Sequence, residues 1–138
     1  MVPSALAPLY AIHIADRCAR TAQLLQRYPF DGLLIAAGSV RHPYRDDGGY
    51  PFKVNPYFKA WLPLLDRPGC YVWLAADGAR PVLFYHQPED IWHQINPLTD
   101  PAVQQAFEVQ VITAPTQMPG LLRARKVTRS AYLGEARD

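Results

Sequence analysis

CYVWLAADGARPVLFY, residues 70–85, contains a strong signal for two paired strands. Two runs rich in β-branched and aromatic residues, 70–75 and 81–85, flank the turn sequence Asp77-Gly78-Ala79-Arg80. An Asp-Gly pair between two such runs is a strong hairpin signal, because glycine adopts the backbone conformation that a tight turn needs. We therefore predict that these two strands pair antiparallel.

The sequence before the hairpin predicts a helix followed by a buried strand. Ser4 is a suitable cap for a helix over residues 4–28, and Pro29 stops it. The residues of one mainly apolar stripe return at steps of three and four along one face of this helix. They are Leu6, Tyr10, Ile14, Cys18, Thr21, Leu25 and Tyr28. The apolar run GLLIAA, residues 32–37, then reads as a strand that is covered on both faces.

The sequence after the hairpin alternates short helices and strands. Asp100 is suited to cap a short helix that has Pro101 at its first position. We expect a strand over residues 108–113, a weak helix over 118–125 and a last strand over 130–133. The whole pattern predicts an α/β fold, in which helices pack on a mixed β-sheet.

Size and composition restrict the possible classes of protein. A chain of 138 residues with 49% hydrophobic residues is sufficient for one core, so we expect one domain over residues 1–138. A net charge of +2 is too small to indicate a nucleic acid or an anionic membrane as partner. No charged leader precedes the first helix and no apolar run approaches about 18 residues, so we expect a cytoplasmic protein. Because the chain ends directly after a predicted strand, we also expect the natural polypeptide to continue.

Motifs of the common catalytic centres are missing from the sequence. It contains no GxSxG elbow, no phosphate-binding glycine loop and no HExxH pair. Cys18 and Cys70 belong to no CxxC motif and read as buried thiols. The remaining candidate for a metal site is His42 with Asp46 and Asp47, which would make the chain a complete small enzyme.

The segment from Asp46 to Leu65, DDGGYPFKVNPYFKAWLPLL, has the composition of a binding loop. It contains five aromatic residues and three prolines and follows neither the helical nor the strand period, so we interpret it as a structured loop or lid. For its paired aspartates we also consider a structural role, with one capping a turn into Gly48-Gly49 and the other solvated. A second proline-bounded loop follows His86 and has Trp92 as its anchor.

Five groups of residues together resemble a known family. They are Tyr10-x-x-His13-Ile14-Ala15, Phe30-Asp31-Gly32-Leu33-Leu34-Ile35, Asp46-Asp47-x-x-Tyr50-Pro51-Phe52-Lys53-Val54-Asn55-Pro56-x-Phe58-Lys59-Ala60-Trp61-Leu62-Pro63, Pro88-x-Asp90-x-Trp92-His93 and Tyr132-Leu133-Gly134. They resemble the amino-terminal domain of bacterial Xaa-Pro dipeptidases (prolidases), in the aminopeptidase P and creatinase group.

The resemblance implies a smaller α/β domain that precedes a larger pita-bread catalytic domain holding two divalent metals, commonly manganese. None of those metal ligands lies in this chain, so the resemblance implies that the chain has no catalytic residues and no cofactor and is inactive alone. It also implies that the chain is a fragment, which ends before a last helix that would follow Gly134. In the family this domain takes part in homodimer contacts.

The resemblance also implies a role for the loop that carries the paired aspartates. The loop would reach toward the partner subunit's active site, where Asp47 would border the pocket that takes an Xaa-Pro dipeptide. Tyr50, Trp92 and His93 would line the same pocket, while Tyr50, Phe52 and Trp61 would hold the loop. The alternative from a different class is a free-standing module that binds a peptide or small ligand with no catalytic partner domain.

Overall fold

The computed structural model describes residues 2–89 and 97–135. Within these residues, five strands form one mixed sheet in the order β4-β3-β2-β1-β5. The strands are β1 (Gly32–Ala36), β2 (Tyr71–Ala75), β3 (Val82–His86), β4 (Glu108–Ile112) and β5 (Ser130–Leu133). The helices are α1 (Ala7–Leu25), α2 (Pro56–Lys59), α3 (Pro101–Ala106) and α4 (Met118–Ala124). The α/β fold class is therefore confirmed.

The hairpin at the centre of the sheet forms as predicted. Strands β2 and β3 pair antiparallel, with Tyr71 opposite Phe84 and Trp73 opposite Val82. Gly78 has φ of +78°, and Asp77 Oδ1 accepts a hydrogen bond of 2.9 Å from the N–H of Ala79. Strand β1 adds antiparallel to β2, while β5 and β4 add parallel to β1 and β3. The three central strands are thus antiparallel to their neighbours in the order β1, β2 and β3, and each edge strand pairs parallel with the strand beside it.

Alternate residues of the central strands face two separate cores. Ile35, Val72 and Leu83 face a core that also contains Ile14 of α1, Phe58 of α2 and Val103 of α3. Leu34, Trp73 and Phe84 face a second core that contains Met118 of α4. Helices α1 to α3 therefore cover one side of the sheet and α4 covers the other, so the central strands are buried on both faces.

The predicted first helix is correct in its middle and wrong at both ends. Ser4 makes no capping hydrogen bond and lies in a single 3₁₀ turn, Ser4–Leu6, ahead of α1. Pro8 lacks an N–H and fits within the first turn of α1, which begins at Ala7. The helix ends at Leu25 and a turn follows, so Tyr28 lies beyond the helix and is 54% exposed.

Two further expectations are corrected in detail. Cys70 is buried, but Cys18 is only partly buried because it lies at the edge of the apolar stripe of α1. The segment 46–65 is not wholly a loop, because α2 forms one helical turn within it. No helix in the described part of the chain combines the length and apolar character needed to cross a membrane.

Candidate functional site

The connection between β1 and α2, residues 38–55, forms a closed projection that we call the arm. Its two ends meet at one point, because the N–H of Asn55 donates a hydrogen bond of 2.9 Å to the carbonyl oxygen of Ala37. Gly38 begins the arm with φ of +109°, which disfavours any residue with a side chain. The chain therefore leaves the sheet and returns to the same place, and residues 39–54 project from it.

The two sides of the arm contact each other above this base. The N–H of Tyr50 donates a 2.7 Å hydrogen bond to the carbonyl oxygen of Arg41. Gly49 lies so close to Val40 that an added Cβ would come within 2.6 Å of the valine side chain. The arm is therefore an ordered reversal of the chain with its tip at residues 43–48.

The paired aspartates at the tip have different surroundings. Asp46 Oδ1 accepts a 3.0 Å hydrogen bond from the N–H of Gly48, and the N–H of Asp46 donates to the carbonyl oxygen of Pro43 at 3.2 Å. Asp46 thus forms the turn into Gly48, as the structural alternative anticipated. The Asp47 side chain is exposed to solvent, so its carboxylate is accessible to a cation or an ammonium group.

The candidate metal site is not assembled. Among the residues that the structure describes, which include His42, Asp46 and Asp47, no group of three His, Cys, Asp or Glu side chains lies close enough to hold a metal ion. One carboxylate oxygen of Asp46 accepts the hydrogen bond of the turn, and both aspartates are exposed.

The segment after the arm anchors it in the larger core. Phe58 and Leu62 are fully buried and Trp61 is 4% exposed. The hydroxyl of Tyr10 donates a 2.8 Å hydrogen bond to the carbonyl oxygen of Trp61, which connects this segment to α1. Burial raises the pKa of Tyr10 well above its usual range, and the nearby Asp100 carboxylate adds to this effect, so the hydroxyl remains a donor.

The expectation that Tyr50, Phe52 and Trp61 all hold the loop is only partly correct. Trp61 is buried and the guanidinium of Arg17 lies 5.0 Å from its ring centre, while Phe52 is half-buried. Tyr50 is 59% exposed, and its N–H is bonded to Arg41 within the arm. Tyr50 therefore contributes to the arm through its backbone and leaves most of its surface exposed to solvent.

The arm is also fastened to the end of the last strand. Arg41 forms an ion pair with Glu135, and the side-chain amide of Asn55 donates to the carbonyl oxygen of Leu133 at 3.4 Å. An open cavity of about 440 Å³ lies beside this base, and its lining includes Gly38, Tyr57, Tyr132 and Glu135. The arm and the exit of β5 thus form one connected surface.

Two of the predicted site residues, Trp92 and His93, lie outside the described residues. Sequence reasoning also gave no role to Asn55, which closes the base of the arm. A usable signal was present, because an asparagine directly before a proline is typical of a helix cap followed by the first helical position.

Both cysteine thiols have a raised pKa. Burial raises the pKa of the Cys70 thiol to about 11, and it also raises the pKa of Cys18. The N–H of His86 points at Cys70 Sγ at 3.4 Å. A thiol needs to ionise near neutral pH to act as a nucleophile, so neither cysteine has the environment of a catalytic group.

Comparison with known proteins agrees with the geometry of the domain. The family model described as Xaa-Pro dipeptidase, N-terminal domain, matches residues 8–138. The Xaa-Pro dipeptidases of Shewanella amazonensis and Shewanella frigidimarina are each 39% identical over 134 residues, covering 96% of this chain and 30% of the relative. That of Pseudoalteromonas atlantica is 39% identical over 131 residues, covering 94% of this chain and 29% of the relative.

The chain therefore spans about 30% of the length of the curated relatives that it matches. The match extends over both cores, the arm and the last strand, all of which lie within residues 8–138. On this agreement, the chain belongs to the family of Xaa-Pro dipeptidase N-terminal domains.

Proposed function

We propose that this domain is the accessory and dimerisation part of a metal-dependent Xaa-Pro dipeptidase, an enzyme that hydrolyses dipeptides with a carboxy-terminal proline. Residues 1–138 form one domain of that enzyme, and a separate pita-bread domain performs the hydrolysis. The observation that carries the proposal is the arm, which holds an accessible carboxylate at Asp47 on an ordered tip. The names of the relatives at 39% identity support the substrate class.

The arm acts by recognising the free amino group of the dipeptide. An Xaa-Pro dipeptide has an ammonium group one residue before the scissile bond, and Asp47 accepts a charge-assisted hydrogen bond from it. Such a bond in a shielded pocket contributes about 1.5 to 3 kcal/mol. A longer peptide places an amide and a further residue at this position, so the carboxylate would select substrates by length. Tyr50, Trp92 and His93 line the same wall of the pocket in this proposal.

The metals of the enzyme belong to the other domain. Within residues 2–89 and 97–135, no group of three ligands for a metal ion is found. Two divalent ions, commonly manganese, would be held by the catalytic domain and would supply an activated hydroxide. This domain contributes recognition of substrate, and we propose that the arm reaches the pocket of the partner subunit in a homodimer. A cytoplasmic location is part of the proposal.

Steady-state kinetics of the full-length enzyme test the role of Asp47. Asp47→Asn should lower kcat/KM for Ala-Pro by about tenfold to a hundredfold, because about 1.4 kcal/mol corresponds to each decade. Asp77→Asn is the matched control, since Asp77 is also an exposed aspartate in a turn but lies in the β2–β3 hairpin. Wild-type kinetics in Asp47→Asn would remove Asp47 from the site.

The isolated chain provides a second test. The purified 138-residue domain should not hydrolyse Ala-Pro with manganese present, and hydrolysis that co-purifies with the monomeric domain would contradict the accessory role.

One observation favours a second candidate function, a free-standing binding module. An apolar groove of about 500 Å³ lies between the start of α1 and the segment after α2, and its lining includes Leu6, Leu9, Tyr10, Trp61 and Pro63. A binding module would give heat of binding when the isolated domain is titrated with Ala-Pro or a proline-containing peptide. The accessory role predicts no binding of either peptide by this domain alone.

A further inference from the structure

Asn55 joins the arm, two strands and a helix. Its N–H donates to the carbonyl oxygen of Ala37, and its side-chain Nδ2 donates to the carbonyl oxygens of Ala36 at 2.9 Å and Leu133 at 3.4 Å. Its Oδ1 accepts from the N–H of Tyr57 at 3.0 Å, which caps α2. One side chain thus connects the end of β1, the end of β5 and the start of α2.

These bonds require a short primary amide. The amide nitrogen has to donate to two carbonyl oxygens, and the amide oxygen has to accept from one N–H. These two atoms belong to one planar amide group. Aspartate retains the acceptor but places a carboxylate oxygen against the two carbonyl oxygens. Serine would still cap α2, but its side chain is too short to reach the ends of both β1 and β5. The chemistry at this position is therefore specific for asparagine.

The location of Asn55 determines where the arm points. It forms the returning end of the arm, and the outgoing end starts at Gly38, directly after the carbonyl oxygens that Asn55 contacts. The ion pair between Arg41 and Glu135 fastens one side of the arm to the same end of β5. The base is therefore held at two adjacent points, and the tip with Asp47 extends from it.

We infer that Asn55 is a positioning residue, which sets the direction of the arm and thereby the location of the Asp47 carboxylate relative to the substrate. This inference rests on the proposed function of the arm. A carboxylate at the end of a projection is displaced by a small rotation at its base. Catalytic geometry is sensitive to such displacement, since about 1 Å can change rates by about a hundredfold.

Substrate selectivity in the full-length enzyme separates positioning from simple destabilisation. Loss of folded enzyme lowers kcat/KM for all substrates by one factor, so it leaves the ratio of kcat/KM for Ala-Pro to that for Ala-Ala-Pro unchanged. Displacement of Asp47 weakens recognition of the dipeptide ammonium and lowers this ratio. We expect Asn55→Asp to lower the ratio by about tenfold. Asn55→Ser is a second variant that keeps a cap and adds no charge, and it should lower the ratio in the same direction.

Gln26→Glu is the matched control for these variants. The side-chain amide of Gln26 also donates to a backbone carbonyl oxygen, that of Ala76 at 2.7 Å, but it lies at the end of α1 away from the arm. Replacing this amide by a carboxylate makes the same chemical change as Asn55→Asp. The control should leave the Ala-Pro to Ala-Ala-Pro ratio at its wild-type value.

Hydrogen exchange on the 138-residue chain tests the structural part without any enzyme assay. The amide of Tyr50, which bonds to Arg41 within the arm, should exchange about tenfold faster or more in Asn55→Asp than in the wild type, relative to the amides of β2. An unchanged relative rate would overturn the assignment of Asn55 as the residue that orders the arm.

The combined outcomes distinguish the inference from the proposed function. If Asp47→Asn lowers kcat/KM for Ala-Pro and neither Asn55 variant changes the substrate ratio, the positioning role is wrong and the proposed function stands. If Asp47→Asn has wild-type kinetics, the proposed role of Asp47 is wrong, and the inference fails with it as a statement about substrate.

Discussion

Replacing Gly32 by alanine tests the packing of the central sheet. Gly32 lies in β1 opposite Ala75, and the indole of Trp73 occupies the space where a side chain would be. An added Cβ would lie 2.5 Å from Cζ2 of Trp73 and even closer to the carbonyl oxygen of Leu74. Real Cβ atoms essentially never come within 3.0 Å of a non-bonded heavy atom. The indole can tilt, but the carbonyl belongs to the paired strand β2 and is held by the sheet.

The expected magnitude follows from these two overlaps. Overpacking of a core costs about 1 to 3 kcal/mol, and an overlap with fixed backbone places Gly32→Ala at about 3 kcal/mol. This corresponds to a decrease of about 10 °C in Tm for a domain of this size. Urea unfolding followed by tryptophan fluorescence measures the change in the free energy of unfolding.

Gly120→Ala provides the matched control for this prediction. Gly120 lies in α4, where the nearest atom to an added Cβ is Nη2 of Arg123 at 3.9 Å. Alanine there should leave the free energy of unfolding unchanged or raise it by up to about 1 kcal/mol, because glycine is a poor helix former. Equal stability of Gly32→Ala and the wild type would refute the reasoning about the sheet.

Two further predictions concern the titration of single groups. The backbone N–H of Arg129 and then the N–H and hydroxyl of Thr128 donate to Asp31 Oδ2, and they hold the pKa of Asp31 below its usual range. The stability that this provides is complete above about pH 4, the usual pKa of an unfolded aspartate, and is lost as the pH falls toward the lower folded pKa. Urea midpoints should therefore fall less steeply in Asp31→Asn than in the wild type between about pH 4 and pH 2.5, and equal slopes would contradict the prediction. A maleimide reagent at neutral pH should label Cys18 in the folded chain and leave Cys70 unlabelled, because Cys70 is fully buried with a pKa of about 11. Peptide mass spectrometry checks this, and equal labelling rates for the two thiols would be the contrary result.

The sequence predicted those parts of the fold that depend on local signals. The Asp-Gly turn identified the hairpin, Asp100 before Pro101 identified the start of α3, and β5 has the bounds that were expected. The turn residues of the hairpin and the cap of α3 lie within or directly beside these elements, so no distant contact is needed to recognise them. The start of α1 was wrong because Pro8 and a 3₁₀ turn, rather than Ser4, determine it.

The candidate site was predictable only in part. The two-glycine turn after Asp46 and Asp47 indicated that one aspartate has a structural role, and the structure shows that this residue is Asp46. The role proposed for Asn55 involves its hydrogen bond to Leu133, which is 78 positions away in the sequence. A contact of that range is created by the parallel pairing of β1 and β5, and a single sequence contains no local signal for it.

We propose above that Asp47 recognises the free ammonium group of a dipeptide bound by the complete enzyme. Comparing kcat/KM for Ala-Pro with that for N-acetyl-Ala-Pro, in the full-length wild type and in Asp47→Asn, tests this role. We expect the wild type to prefer Ala-Pro and Asp47→Asn to lose this preference by about tenfold or more. If Asp47→Asn keeps the full preference for the free amino group, Asp47 does not recognise the ammonium group.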